Sequence, residues 1–147
     1  VRIERELVPV LPPVMGDRDR LETVLLNVIN NAIDAVIAEG IQGVVTVRTT
    51  CRQINGDEWV HISVADNGPG VPAAIADRIF DPFFTTKPAG QGTGLGLFLS
   101  YGIVSDHRGR IEARSDQRGA VFDIYLPAVG LGERLYEGAP WGLQEKF

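Results

Sequence analysis

The sequence predicts an α/β (α+β) two-layer sandwich, with a mixed, largely antiparallel sheet covered on one face by about three helices. Two observations carry that expectation. Helical patterns at residues 17–39 and 95–107 are separated by strand-like runs, and those runs come as hairpins rather than as strict strand–helix–strand units. The length of 147 residues also suits one domain, which at this size buries roughly 70% of the surface its unfolded chain exposes.

The elements follow in order. Residues 1–7 read as a short edge strand, and the Pro-rich stretch at 9–13 breaks regular structure. The pattern at 17–39 is a long helix closed by Gly40, in the usual position after a helix end. Residues 44–53 alternate as a strand, turn at 55–57 through Asn-Gly-Asp, and return as the partner strand at 59–65. A loop at 66–71 leads to a short helix at 73–79. Residues 81–91 hold two prolines and a glycine without periodicity, and loops of that length inside compact domains are often functional. The helix at 95–107 carries Leu97, Tyr101 and Val104 on one stripe, with Gly109 beyond its end. Strands at 110–115 and 120–126 make the last hairpin around a turn at 116–119. Pro127 is expected to end the domain, leaving 128–147 as a C-terminal tail or linker in which Tyr136, Trp141 and Phe147 dock weakly.

Composition excludes several classes. A net charge of −5 without a Lys/Arg cluster argues against a protein that holds nucleic acid by neutralising phosphates. The single cysteine, Cys51, excludes an internal disulfide and a multi-cysteine metal site; in phase with Val45 and Val47, it reads as a packed free thiol. The apolar runs read as too short to span a bilayer, and no signal-peptide pattern opens the chain. A cytoplasmic domain without membrane contact of its own is expected, any anchor of the parent protein lying elsewhere.

Three features carry chemistry. The helix at 17–39 is apolar around most of its circumference, yet Asn27, Asn31 and Asp34 fall on one narrow stripe. A solvated face is the plain alternative, but such faces favour Lys, Glu or Gln, because Asn is a poor helix former. Amides at i and i+4 between apolar walls suit oxygen ligands for a hard cation, or donors to a ligand. In the strand at 59–65 the side chains of Val60, Ile62 and Val64 share a face with Asp66, which puts a carboxylate at the rim of the apolar layer. Burial of that group needs donors or a positive charge, and the Asn67-Gly68-Pro69-Gly70 turn lets a flat ligand approach; an Asx turn is the alternative. Last, Gly92-Thr93-Gly94-Leu95-Gly96-Leu97 opens a helix, where free N–H groups bind anions. The pattern is neither the dinucleotide fingerprint nor the phosphate loop of P-loop ATPases.

In this order the pieces resemble the ATP-binding fold shared by sensor histidine kinases, type II topoisomerases, mismatch-repair ATPases and the large heat-shock chaperones. The resemblance covers residues 17–127. Asn27 to Ala32 is similar to the asparagine box, Asp66 to Gly70 to the first glycine box, and Gly92 to Leu97 to the second. Ile79-Phe80-Asp81-Pro82-Phe83-Phe84-Thr85-Thr86-Lys87 resembles the phenylalanine box of the histidine kinases.

The resemblance implies ATP and Mg as cofactors. Asp66 would accept from the adenine amino group, with Gly68 and Gly70 shaping that pocket. Asn31 would ligate magnesium with help from Asn27. Gly92, Thr93, Gly94, Leu95, Gly96 and Leu97 would line the phosphates, with residues 81–91 as a flexible ATP lid. Lys87 would meet the terminal phosphate as a point charge, its alternative being a solvated loop lysine. Phe80, Phe83 and Phe84 would be core or couple the lid to the histidine-bearing helices.

One position separates the relatives. Hydrolysing members carry a glutamate general base where this chain has Asn27, which favours phosphoryl transfer over hydrolysis. Asp34 stands where many histidine kinases have a lysine or arginine, which removes one phosphate contact. The two histidines, His61 and His107, fit structural or solvent-facing places rather than a phosphoacceptor. The expected partners are therefore a histidine-bearing dimerisation domain of the same kinase and the receiver domain of a response regulator. The alternatives are an anti-sigma-type serine kinase, which usually lacks the long phenylalanine box, a chaperone- or topoisomerase-like ATPase, opposed by Asn27, and a nucleotide-binding module without transfer activity.

Overall fold

The computed structural model describes residues 1–87, 90 and 92–135, with 132–134 described by their backbone alone. Five strands, β1 (Arg2–Leu7), β2 (Val44–Ile54), β3 (Asp57–Asp66), β4 (Arg110–Ser115) and β5 (Ala120–Pro127), form one sheet in the order β1-β2-β3-β5-β4. Only β1 pairs parallel, with Ile3 opposite Val45; the other pairs are antiparallel. The mixed, largely antiparallel sheet is as expected.

Among the described residues there are three helices: α1 (Arg18–Glu39), α2 (Gly96–Asp106) and α3 (Val129–Leu135). Capping explains the limits of α1. The Asp17 side chain accepts from Arg20 N–H at 3.1 Å, and Gly40 ends the helix in the left-handed region at φ 68°. The other end of α1 is tied to the end of α2 through His107, whose Nε2 accepts from Asp17 N–H at 2.9 Å while its Nδ1 donates to the Ile103 carbonyl at 2.7 Å.

One face of α1, Leu21, Val24, Val28, Ala32 and Val36, is buried against the sheet face built from Val45, Val60, Val64, Ile111, Phe122, Ile124 and Leu126. By length and composition α1 is long and apolar enough to cross a bilayer, which corrects the expectation that no run in the chain is. In this fold one apolar stripe of it packs on the sheet, while Leu26 and Ile37 stay exposed.

Three further expectations are corrected. Residues 73–79 form no helix: Ile75, Arg78 and Asp81 donate to Pro72, Ile75 and Arg78, so consecutive turns replace the i→i−4 ladder. A segment this short gains little from helix propagation and is held instead by its packed Ile75 and Ile79. The third helix is α3, inside the stretch expected to be a tail: Ala128 is buried and bridges Val14, and Leu131 is buried as well. Cys51 is exposed, not packed: it lies on β2 beyond Thr49, the last residue that β1 pairs; its thiol is pushed up, first by desolvation and then by its hydrogen bond with Glu58. Tyr136, Trp141 and Phe147 lie outside the described residues, and the division of the chain at Pro127 stays a proposal.

Candidate functional site

The polar stripe of α1 is the line along which the other motifs gather. Asn27 lies at its first end, where the amide nitrogen donates to the Gly96 carbonyl and to the Ser100 hydroxyl oxygen, both at 3.2 Å. Ser100 Oγ in turn donates to the same Gly96 carbonyl at 2.8 Å. Asn27 is thus locked against the helix that Gly92 to Leu97 introduces, and the amide cannot serve as a proton acceptor at neutral pH. One turn on, Asn31 is partly buried, and its side chain makes no hydrogen bond among the described residues. Asp34 follows, paired with Lys87 at 2.5 Å. Beside it the backbone of Ala35 lies within van der Waals reach of a Cβ at Gly68. From Asn27 to Ala35 the helix rises about 12 Å. One stripe therefore connects the second glycine run, the segment carrying Lys87 and the first glycine run.

At the far end Asp66 closes β3 and is 5% exposed. Its Oδ1 accepts from Gly68 N–H at 2.9 Å and from Ala120 N–H at 3.3 Å, which leaves Oδ2 without a donor among the described residues. Burial pushes this carboxyl above its ordinary range, and the two backbone donors offset that only in part. The Asx turn considered as an alternative is present, yet it uses one oxygen. Asn67 faces away, accepting from Val44 N–H at 2.8 Å and donating to the Gln42 carbonyl, and so pins the loop before β2. Gly70 adopts φ 80°, and a Cβ there would come within 2.9 Å of Ser115 Oγ, which bonds both the N–H and the carbonyl of Val71.

At the near end, no side chain caps the first turn of α2, so its N–H groups face outward from the glycine run. Thr93 Oγ1 accepts from Leu95 N–H at 3.2 Å, and Leu97 packs on the core. Gly94, at φ 68°, lies against the backbone of Phe83, whose N–H donates to the Gly94 carbonyl at 2.8 Å. The phenylalanines divide. Phe80 packs on Tyr101 and Phe122, Phe84 lies under the Arg78 guanidinium at 4.8 Å, and Phe83 is 74% exposed with a left-handed backbone at φ 64°.

Four contributors were not singled out from the sequence. Ser100, Ser115, Gly119 and Ala120 hold the two glycine runs in place; a Cβ at Gly119 would come within 2.9 Å of both Asp66 Oδ1 and Gly68 N. Only the small size of Gly119 and Ala120 at a strand start hinted at such a close approach. A depression of about 660 Å³ on the sheet face opposite α1 is lined by Arg2, Glu4, Glu6, Arg48, Asp116 and Arg118 among others, and its charges pair as Arg2–Glu4 and Arg48–Glu6. Asp66 and Asn67 line it too, but no residue of the α1 stripe does. His61 and His107 serve structure: His61 stacks on Tyr125 beside the buried Asp123, and His107 is fully buried.

Comparison with known proteins agrees with this arrangement. Residues 16–130 match the family described as histidine kinase-, DNA gyrase B- and HSP90-like ATPases. The two-component sensor PprA of Pseudomonas aeruginosa is 40% identical over 122 residues, which are 82% of this chain and 13% of PprA. The catalytic domain of the histidine kinase ThkA superposes with a TM-score of 0.72 at 34% identity, over 86% of this chain and 78% of that one. Full-length ShkA in complex with AMPPNP superposes at 0.71 and 30% identity, over 86% of this chain and 25% of ShkA. The chain belongs to the histidine kinase-, DNA gyrase B- and HSP90-like ATPase family, as the catalytic ATP-binding domain of a sensor histidine kinase. It spans 13% to 37% of the length of the curated relatives it matches.

Proposed function

We propose that this domain binds ATP with magnesium and donates the γ-phosphoryl group to a histidine on a separate dimerisation domain, from which it passes to the receiver domain of a response regulator. The observation that carries the proposal is the α1 stripe. It lines up a half-satisfied buried carboxylate, an unpaired amide, a lysine and an uncapped helix entrance over a distance that suits a nucleoside triphosphate. In this reading Asp66 Oδ2 accepts from the adenine amino group, and Gly68, Gly70 and Gly119 keep the walls flat enough for the ring. The N–H groups around Gly92, Thr93, Gly94, Leu95, Gly96 and Leu97 face the phosphates, as helix entrances do for anions.

No cluster of three or more His, Cys, Asp or Glu side chains suited to a metal exists among the described residues. Magnesium usually enters such sites with the phosphates and one or two protein oxygens, and Asn31 offers an amide oxygen free to turn. Bound there, the ion would neutralise charge on the β- and γ-phosphates. Asn27 orients the helix entrance rather than activating water, which favours transfer over hydrolysis. ShkA, solved with AMPPNP, supports the choice of ligand. A cytoplasmic location of this domain belongs to the same proposal.

The test is calorimetry with ADP and a non-hydrolysable ATP analogue, with and without magnesium, on the native chain and on Asp66→Asn. Binding that depends on Asp66 supports the reading; a folded chain that binds neither nucleotide would sink it. Supplying a histidine-bearing dimerisation domain then separates a kinase from a binding module, and supplying a serine substrate tests the serine-kinase alternative.

A further inference from the structure

Lys87 is the only Lys or Arg between Arg78 and Arg108, and α1 carries none after Arg20. Among the described residues of these two segments Lys87 is therefore the one cation, and in the structure it is engaged. Its Nζ lies 2.5 Å from Asp34 Oδ2, with the two side chains 36% and 48% exposed. The geometry of the segment supports that engagement. Lys87 N–H donates to Thr85 Oγ1 at 3.0 Å, and the Lys87 stem runs across Gly92 so closely that a Cβ there would come within 2.9 Å of Lys87 Cδ and 2.8 Å of Thr85 Oγ1. The lysine thus bridges the first residue of the second glycine run to the carboxylate one turn beyond Asn31.

We infer that Asp34 is a positioning residue that competes with the terminal phosphate for Lys87, and so sets how strongly the site prefers a triphosphate over a diphosphate; this rests on the ATP reading above. The argument is one of charge. A single ammonium cannot fully neutralise a carboxylate and a phosphate group together, and an added anion repels Asp34 at this range. A diphosphate leaves Lys87 on Asp34. A triphosphate draws it away and must displace the ion pair first, so affinity is lowered by the strength of the pair. Because both side chains are partly solvated, that strength is modest, ~two- to fivefold in a binding constant, and it weakens with salt.

The experiment is calorimetric titration of ADP and AMPPNP with magnesium into the native chain, Asp34→Ala, Lys87→Ala and the double variant, at low and high salt. Asp34→Asn, nearly the same in shape, stands in should the alanine variant fail to fold. The inference predicts ~two- to fivefold tighter AMPPNP binding by Asp34→Ala, a smaller change for ADP, and loss of the gain in the Lys87→Ala background. Hydrogen exchange without nucleotide adds a second reading: amides at residues 85–87 should exchange faster in both single variants. AMPPNP binding that is unchanged or weaker in Asp34→Ala overturns the inference, as does the same gain with and without Lys87. Absence of nucleotide binding by the folded native chain would instead overturn the inference together with the ATP reading.

Discussion

Asp66 and His107 are the two buried titratable side chains whose ordinary ionisation the fold disturbs most plainly, and the signs differ in consequence. Asp66 has a raised folded value, so the charged form is destabilised by burial. Stability is greatest below the ordinary carboxylate range and declines as pH rises through the folded value. Asp66→Asn keeps an Oδ1 acceptor for Gly68 and Ala120 while removing the buried charge. Its melting temperature without nucleotide should equal or exceed that of the native chain at pH 7.5, although nucleotide binding weakens by about tenfold or more, as expected for loss of a charged hydrogen-bond acceptor. Thermal melts and calorimetry on the same sample check both halves. For His107, desolvation first of all lowers the folded value, so the neutral ring is the native form. Here stability is fully present above the unfolded value near 6.5 and falls as pH drops below it, since the unfolded chain takes up the proton first. Urea midpoints at pH 7.5 and 5.5 should show that loss, and His107→Gln should reduce its slope. Neither role was readable from the sequence at equal depth. The place of Asp66 followed from strand alternation, but His107 ends a helix, and only the fold brings Asp17 N–H against its ring.

At the scale of elements, long periodic patterns were read correctly because their capping is local. Asp17, Gly40 and the Asn55-Gly56 turn each fix an element end with neighbours a few residues away. The segment at 73–79 was misread for the opposite reason: its conformation depends on anchoring Ile75 and Ile79 in a core that the local sequence does not describe. The asparagine stripe and the glycine runs were legible as separate features, whereas Ser100, Ser115 and Gly119, which join them, act through contacts across the fold. Two changes test these joints. Gly94→Ala places a Cβ against the Phe83 backbone at φ 68°, so it should cost about 1–3 kcal/mol in denaturant unfolding and weaken triphosphate binding more than the loss of stability alone explains. On the opposite sheet face, Asp123 is buried between Arg114 Nε and His61 Nε2, each at 2.8 Å. Asp123→Ala leaves His61 without that partner and should cost about 1–3 kcal/mol by the same measurement, with nucleotide affinity unchanged in the molecules that remain folded.

For the molecule as a whole, the sheet serves as a platform and α1 as a ruler. The helix buries one stripe to hold the sandwich together and presents the other to three segments far apart in sequence. The chain carries no histidine placed to receive a phosphoryl group among the described residues, since His61 and His107 are both engaged in structure. It should therefore show little phosphorylation alone with labelled ATP and gain it when a histidine-bearing dimerisation domain is added. The central claim, that one face of α1 spans the nucleotide from adenine to metal, is tested most directly by titrating AMPPNP with and without magnesium into the native chain, Asp66→Asn and Asn31→Ala. The account predicts that Asp66→Asn weakens binding whether or not magnesium is present, while Asn31→Ala removes the benefit of magnesium and leaves metal-free binding near native. Equal losses for Asn31→Ala with and without the metal, or full magnesium enhancement without Asn31, would contradict it.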